Sequence, residues 1–207
     1  NWIPIRPQTD AALFLGITRY MIDQGWYDKE FILKFTDFPF LVRKDNLKRL
    51  KAQEIFPEYK LGLSQEGYSF KYQGLKQEQY EKLGDFVVWD SNKNEPAAIT
   101  RDDLGEEMVK KGITPALEGT FKIKAIDGQE IEVMTLFTFY QIHLKDYDLD
   151  SVVEITHAPK EAIIQLAKDI ATIKPVAIHQ GEGINHWFHA TESNRAAYLP
   201  LMLTGNI

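Results

Sequence analysis

Cysteine is missing altogether from this 207-residue chain, so no disulfide and no thiolate-held zinc or iron–sulfur cluster can form within it. No apolar run approaches the roughly 20 residues that a membrane-spanning helix needs, and no signal-peptide pattern is visible in the first residues given. Basic residues number 24 against 30 acidic ones, for a net charge of −6, and they form no large block. A nucleic-acid face depends on clustered Lys and Arg to neutralise phosphates and is not expected here. The G-x-S-x-G elbow of serine hydrolases does not occur, which removes the support for hydrolysis. Nor does His-Glu-x-x-His: His186 and His189 are three apart, but beyond His179 across a turn no third ligand is evident, too few for a zinc site. Asp146, Asp148 and Asp150 alternate without the glycine or terminal glutamate of a calcium loop, so a solvated helix start is the expectation.

What is there has the balance of an ordinary globular protein, 44% hydrophobic and 26% charged. Trp2 to Ile5 reads as a short apolar strand, and Gln8, Thr9 and Asp10 offer capping oxygens to a helix ending at Gly25. A short helix from Asp28 to Phe35 leads into an extended stretch at Pro39. From Lys44 to about Gly112 the pattern loosens into surface loops and short helices; within it Lys48 to Lys51 is a basic run, read as a solvated face with a docking surface as the alternative. Asp85–Asp90 and Pro96–Thr100 suggest one hairpin. Thr120–Ala125 and Glu130–Met134, joined through Asp127-Gly128, give a stronger hairpin signal. A helix is expected from Thr135 to Leu144, a short one near Ser151, and another opened by Pro159 with Ile163, Ala167 and Ile170 on its buried stripe.

The densest stretch comes last. Pro175 to Ile178 reads as a buried strand, Gln180 to Gly183 as a glycine turn, and Thr191 or Ser193 as the cap of a helix running to Leu203. A glycine turn and a helix start both favour anions, although many such turns only join a strand to a helix. Arg195, at the helix start, suits a phosphate or carboxylate and equally a surface ion pair. If parallel strands carry both junctions, Thr9, Asp10, Gly181 and Gly183 converge at one sheet edge.

Pro7-Gln-Thr-Asp-Ala-Ala-Leu13, Gly25-Trp-Tyr-Asp-Lys-Glu-Phe31, Gly181-Glu-Gly-Ile-Asn-His-Trp-Phe-His189, Asn194-Arg-Ala196 and Leu203-Thr-Gly-Asn206 together resemble catalytic subunits of the molybdenum oxidoreductases of the dimethyl sulfoxide reductase family. Asn185-His-Trp-Phe-His189 and Thr36-Asp-Phe-Pro-Phe-Leu-Val-Arg43 are most similar to the branch of respiratory nitrate reductase and nitrite oxidoreductase, where Tyr stands at the place of Phe188. The expected fold is α/β, with Rossmann-like parallel-sheet layers, helices on both faces and a small insertion containing β-hairpins. In that reading 1–43 begins a cofactor-binding domain, 44–134 is the insertion and 135–207 returns to the domain, the whole being an internal fragment of a longer subunit.

The resemblance implies a bis-molybdopterin guanine dinucleotide carrying molybdenum, with Gln8, Thr9, Asp10, Gly181, Gly183 and Arg195 as cofactor contacts. It places Asn185 and His186 near the metal end, while His189 packs beside the glycine loop. No molybdenum ligand is expected in this stretch. The implied chemistry is oxygen-atom transfer between nitrite and nitrate, with another oxyanion or an organic substrate as the neighbouring options and a non-catalytic nucleotide-binding or purely structural module as the different one. Implied partners are a small oxyanion substrate, an iron–sulfur cluster bound outside this stretch, an iron–sulfur electron-transfer subunit and a membrane-anchor subunit, in a prokaryotic membrane-associated complex of no assigned side.

Overall fold

The computed structural model describes residues 2–62, 77–103 and 105–206; part of the loosely patterned stretch between Glu54 and Tyr80 lies outside them. The chain divides into two compact units, one made of Asn1–Ile32 with Tyr140–Ile207 and the other of Leu33–Phe139. The sequence pattern had drawn its boundaries at 43/44 and 134/135.

The first unit is helical. Helix α1, Asp10–Asp23, buries Leu13, Gly16, Ile17 and Met21 along one face, the i, i+3, i+4 spacing of an amphipathic helix. Its end is the left-handed stop expected at Gly25, φ 68°, where Trp26 N–H donates back to the Met21 carbonyl at 2.8 Å. Helix α2, Lys29–Phe35, starts with Asp28 Oδ1 accepting from Phe31 N–H at 2.9 Å and crosses into the second unit.

Farther on, a 3-10 turn at Leu144–Asp146 leads to the short helix Leu149–Thr156, the helix Lys160–Thr172, a single turn Glu182–Asn185 and the last helix, Ala190–Thr204. With the elements of the second unit counted in chain order these are α7, α8, α9 and α10. Helix α1 packs against α7, α8 and α10.

The spaced aspartates resolve as a helix start. Asp148 Oδ1 accepts from the N–H groups of Asp150 and Ser151 at 3.0 and 2.9 Å, and Asp150 pairs with Lys160. The Ser151 N–H holds the Asp148 carboxyl below the usual aspartate range, helped by the Ser151 hydroxyl and the Asp150 N–H. A depressed folded-state pKa stabilises above the unfolded value, about 4 for aspartate, and that contribution fades as pH falls through the folded value. Asp148→Asn keeps a capping oxygen and is expected to lose melting temperature less steeply than the wild type below about pH 4. Equal acid slopes in thermal melts would break the link.

The second unit holds the strands. Strand β1, Leu41–Arg43, is followed by the short helix α3, Ala52–Ile55, and by α4, Gln77–Leu83. Strands β2, Phe86–Asp90, and β3, Glu95–Ile99, form the first expected hairpin, with Val88 opposite Ala97. Helix α5, Glu107–Lys110, precedes the second hairpin, β4 Thr120–Lys124 with β5 Glu130–Thr135, in which Ile123 faces Ile131. Gly128 takes φ 87° in its turn, and Asp127 Oδ1 accepts from Gln129 N–H, as Asp-Gly requires. The order of the larger sheet is β1-β5-β4, and helix α6, Leu136–His143, follows β5 without a loop. Leu41, Leu50, Val87, Ile131 and Val133 form its core, with Trp89 stacked on Phe121 at 4.1 Å.

The chain is thus mixed α/β with a hairpin-bearing segment, as expected, but among the described residues every strand pair is antiparallel and lies in the second unit. The parallel layers foreseen around Trp2–Ile5 and Pro175–Ile178 do not form. Prolines at 4, 7 and 175 remove ladder donors, and the N–H groups that remain there go elsewhere: Arg6 N–H to the Thr156 carbonyl at 2.7 Å, Val176 N–H to Asn206 Oδ1 at 3.0 Å. Two of the side chains in the basic run have partners within the chain. Arg49 pairs with Asp37, Lys51 Nζ donates to the Lys82 carbonyl, and Leu50 is buried with its N–H on the Leu41 carbonyl.

Candidate functional site

The helical unit has a direction, and hydrogen bonds at its two ends establish it. At one end Asp28 N–H, just past α1, donates to the Leu203 carbonyl near the end of α10 at 2.8 Å. There Asn206 Nδ2 reaches the Ile170 carbonyl in the last turn of α8, and Lys174 Nζ donates to the Thr204 carbonyl. At the other end Arg6, just before α1, bonds the end of α7 at Thr156, from which a short link leads into α8. Helices α1, α8 and α10 therefore run the same way, with α7 opposed to α1. Their amino ends share one end of the unit and their carboxyl ends the other.

The carboxyl end contains a cavity of about 300 Å³ lined by Gly25, Trp26, Tyr27, Asp28, Ala171, Thr172, Lys174 and Thr204. Helix carboxyl ends favour cations, and the Lys174 ammonium already occupies that role.

The residues singled out in the sequence lie in two places, at the start of α1 and in the segment leading into α10 and its first turns. Thr9 stands at the N-cap position of α1 but does not cap it: its hydroxyl donates to the Arg6 carbonyl at 2.6 Å. Among the described residues no side chain accepts from the first-turn N–H groups of α1, and Asp10 lies in that turn. Gln8, in the left-handed region at φ 73°, makes the bend that precedes it.

The segment 173–189 must return from the carboxyl end to the start of α10. Gln180 Nε2 donates to the Asn194 carbonyl at 3.2 Å, which brings the glycine turn beside the first turns of that helix. Three details depart from expectation. Gly181 is extended, φ −138° and ψ −164°, and neither it nor Gly183 takes a positive φ, so left-handed freedom is not what glycine supplies here. A Cβ built on either would meet nothing within 4 Å, so what glycine leaves is open space beside the main chain. The expected loop contains the helical turn α9. The start of α10 is His189, at φ 60°, instead of Thr191 or Ser193.

Asn185 Oδ1 accepts from Asn194 Nδ2 at 2.8 Å, which fixes its amide. His186 and His189 are exposed, each opposite a glutamate, Glu182 at 3.7 Å and Glu192 at 3.8 Å. Trp187 and Phe188 are 43% and 85% exposed, so His189 packs beside Phe188, ring centroids 4.0 Å apart, at the surface. Arg195 is exposed and makes no ion pair among the described residues. Among those residues no cluster of three or more His, Cys, Asp or Glu could hold a metal ion.

Each side-chain charge at this end can be weighed against the helix ends. A helix amino terminus acts as about half a positive charge, whereas Asp10, Glu161 and Glu192 place full negative charges in the first turns of α1, α8 and α10. The end is thus not a bare anion trap. Its cations are Arg6, just before α1, and the exposed Arg195 in the first turns of α10. Sequence reasoning missed Arg6 and His157, which bond each other next to Thr9; the only available signal was Arg6 preceding the proline.

The Molybdopterin oxidoreductase family model matches residues 1–207. The chain is 30% identical over its whole length to the perchlorate reductase subunit alpha of Dechloromonas aromatica, covering 22% of that protein. It is 28% identical, again over its whole length, to the respiratory nitrate reductase subunit alpha of Haloferax mediterranei, covering 20%. With the dopamine dehydroxylase of Eggerthella lenta it shares 23%, covering 26% of it. The chain spans about a fifth to a quarter of the length of these relatives. Among the described residues no helix is long and apolar enough to cross a membrane. With a family match along all 207 residues and full-length similarity to three such subunits and enzymes, the chain belongs to the molybdopterin oxidoreductase family.

Proposed function

We propose that this chain is part of the catalytic subunit of a molybdenum oxidoreductase and forms part of the wall that holds a bis-molybdopterin guanine dinucleotide. The observation that supports the reading is the common direction of α1, α8 and α10, set by the bonds at their ends; it puts the start of α1, with Gln8, Thr9 and Asp10, and the start of α10, which Gly181–His189 leads into, at the same end of the unit. The residues fit the organic arm of the group. The uncapped N–H groups of α1 and the open backbone at Gly181 and Gly183 suit phosphate oxygens, Asp10 accepts from the N–H groups of a guanine, and Arg195 offers a forked contact to phosphate. They do not supply metal ligands, so the molybdenum is held from elsewhere.

When bound, the metal supplies two-electron oxygen-atom exchange with the substrate; the protein's part is to bind, orient and set the charge around it. Asn185, its amide fixed by Asn194, and His186 provide donors toward a small oxyanion. The relatives named for perchlorate and nitrate favour an oxyanion, and the resemblance to Asn185-His-Trp-Phe-His189 favours the nitrite and nitrate pair over the others. Electrons pass through iron–sulfur clusters outside this stretch and an iron–sulfur partner subunit, in a membrane-associated complex with an anchoring subunit. In this reading 1–43 and 135–207 are the cofactor-binding parts and 44–134 is an insertion.

Metal and pterin analysis of the full-length protein, paired with a nitrite-to-nitrate assay, tests both levels. Molybdenum with two guanine-bearing pterins and turnover of that pair is expected. Molybdenum without turnover discards only the substrate, and absence of both discards the site. Gly183→Val is expected to leave the melting temperature within a few degrees, since a Cβ there meets open space and valine is no worse a helix former than glycine, while lowering pterin content severalfold. Full pterin occupancy in that variant would remove Gly183 from the site.

A further inference from the structure

His157 closes α7 in the left-handed conformation, φ 60°, a place that glycine or asparagine usually fills because a Cβ is crowded there. Its ring has a defined partner: Nε2 accepts from Arg6 Nη2 at 2.6 Å, which makes that nitrogen the unprotonated one. Next to this bond the Arg6 N–H donates to the Thr156 carbonyl at 2.7 Å. The end of α7 therefore grips Arg6 by both its main chain and its side chain. Arg6 in turn presents the carbonyl that accepts from the Thr9 hydroxyl at 2.6 Å and from the Thr9 N–H at 3.3 Å.

A short relay thus runs from His157 through Arg6 to the N-cap position of α1. An imidazole nitrogen that accepts from the guanidinium holds it in place without the full opposing charge a carboxylate would bring. Among the described residues Arg6 forms no ion pair.

We infer that His157 is a positioning residue, which through Arg6 fixes the bend at Gln8 and Thr9 so that this junction and the first turn of α1 meet the phosphate- and guanine-bearing arm of the cofactor. The inference rests on the cofactor reading proposed above. It assigns His157 no contact with cofactor or substrate; its effect travels through the Arg6 bond.

The test uses the full-length protein with four changes: His157→Gly, His157→Gln, Arg6→Gln and the double variant Arg6→Gln/His157→Gly. Glycine keeps the left-handed turn and removes the acceptor, whereas glutamine keeps an acceptor on a side chain long enough to reach Arg6. Two readouts are followed, the rate of pterin release by fluorescence and the hydrogen exchange of amides 9–13. His157→Gly is expected to release pterin roughly tenfold faster, the scale of one lost hydrogen bond to a charged group, with faster exchange at amides 9–13 and an unchanged melting temperature. His157→Gln restores most of the retention, and the double variant is no worse than Arg6→Gln alone.

Wild-type retention in His157→Gly, glutamine no better than glycine, or losses that multiply in the double variant would each overturn the inference while leaving the cofactor reading intact. A wild-type protein purified without any pterin overturns both. If His157→Gly does not accumulate, Arg6→Gln alone breaks the same bond and must show release at least as fast, with the same faster exchange at amides 9–13.

Discussion

Gly16→Val in α1 is expected to lower stability by about 3 kcal/mol and Gly16→Ala by about 1 to 2 kcal/mol, in spite of the better helix propensity of both residues. A Cβ at this position would fall 2.4 Å from Val152 Cγ2 and 3.1 Å from Val152 Cβ and Cγ1. Alanine gains about 1 kcal/mol over glycine in a helix, so the sign depends on whether Val152 can yield. It cannot easily do so: it is fully buried in α7, and a β-branched side chain in a helix has essentially one rotamer. The two helices must separate, and with them the end of α7 where Arg6 is held.

The pair Gly16→Ala with Val152→Ala gives the internal control. Removing the two methyl groups clears the overlap, so the double variant should be more stable than the sum of the single effects in denaturant titrations. A Gly16→Ala protein more stable than the wild type would mean that the α1–α7 approach is looser than the distance implies.

The second large effect is expected at Phe137, where substitution by alanine costs about 3 to 5 kcal/mol. Phe137 is fully buried and meets Phe38 edge to face, ring centroids 5.6 Å apart at 84°, an arrangement that adds about 0.5 to 1.5 kcal/mol to its buried area. Its N–H donates to the Phe38 carbonyl and that of Leu136 to the Phe40 carbonyl, so the ring locks the first turn of α6 to the chain that enters β1. Phe137→Leu retains most of the volume and is expected to lose less than half as much. Hydrogen exchange at Phe40 and along β5 reports the same loosening locally. Equal losses for leucine and alanine would show that the ring geometry contributes nothing.

Local chemistry made much of the architecture legible. Asp127-Gly128 between alternating runs is sufficient to specify the β4–β5 hairpin, because the turn residues and the pleat agree. Gly25 stops α1 as a residue tolerant of positive φ should, and the apolar stripe of α8 follows its period. What failed was whatever depended on distant partners. β1 pairs with β5, far along the chain, and no local pattern at Leu41 to Arg43 names that partner. Pro175 to Ile178 has the apolar look of a strand, but the Asn206 side chain takes its Val176 N–H, and no local pattern announces that. Thr9 was legible as a capping position, and its hydroxyl turning back to Arg6 was not, since the competing acceptor arises only when the chain bends at Gln8. At the site, the identities of the glycine-turn residues were readable, while the relay from His157 was not, its members being far apart in sequence.

The shared direction of α8 and α10 sets a minimum on the chain between them. Helix α10 has 15 residues, about 22 Å at 1.5 Å each, and an extended return over that length takes about seven residues. The link 173–189 is more than twice as long. The surplus is the part that holds the glycine turn, α9 and the exposed aromatic pair, so deletions confined to it leave the topology attainable. Shortening the link below the span would force α10 to turn over and pack antiparallel to α8, exchanging which ends of the helices face each other.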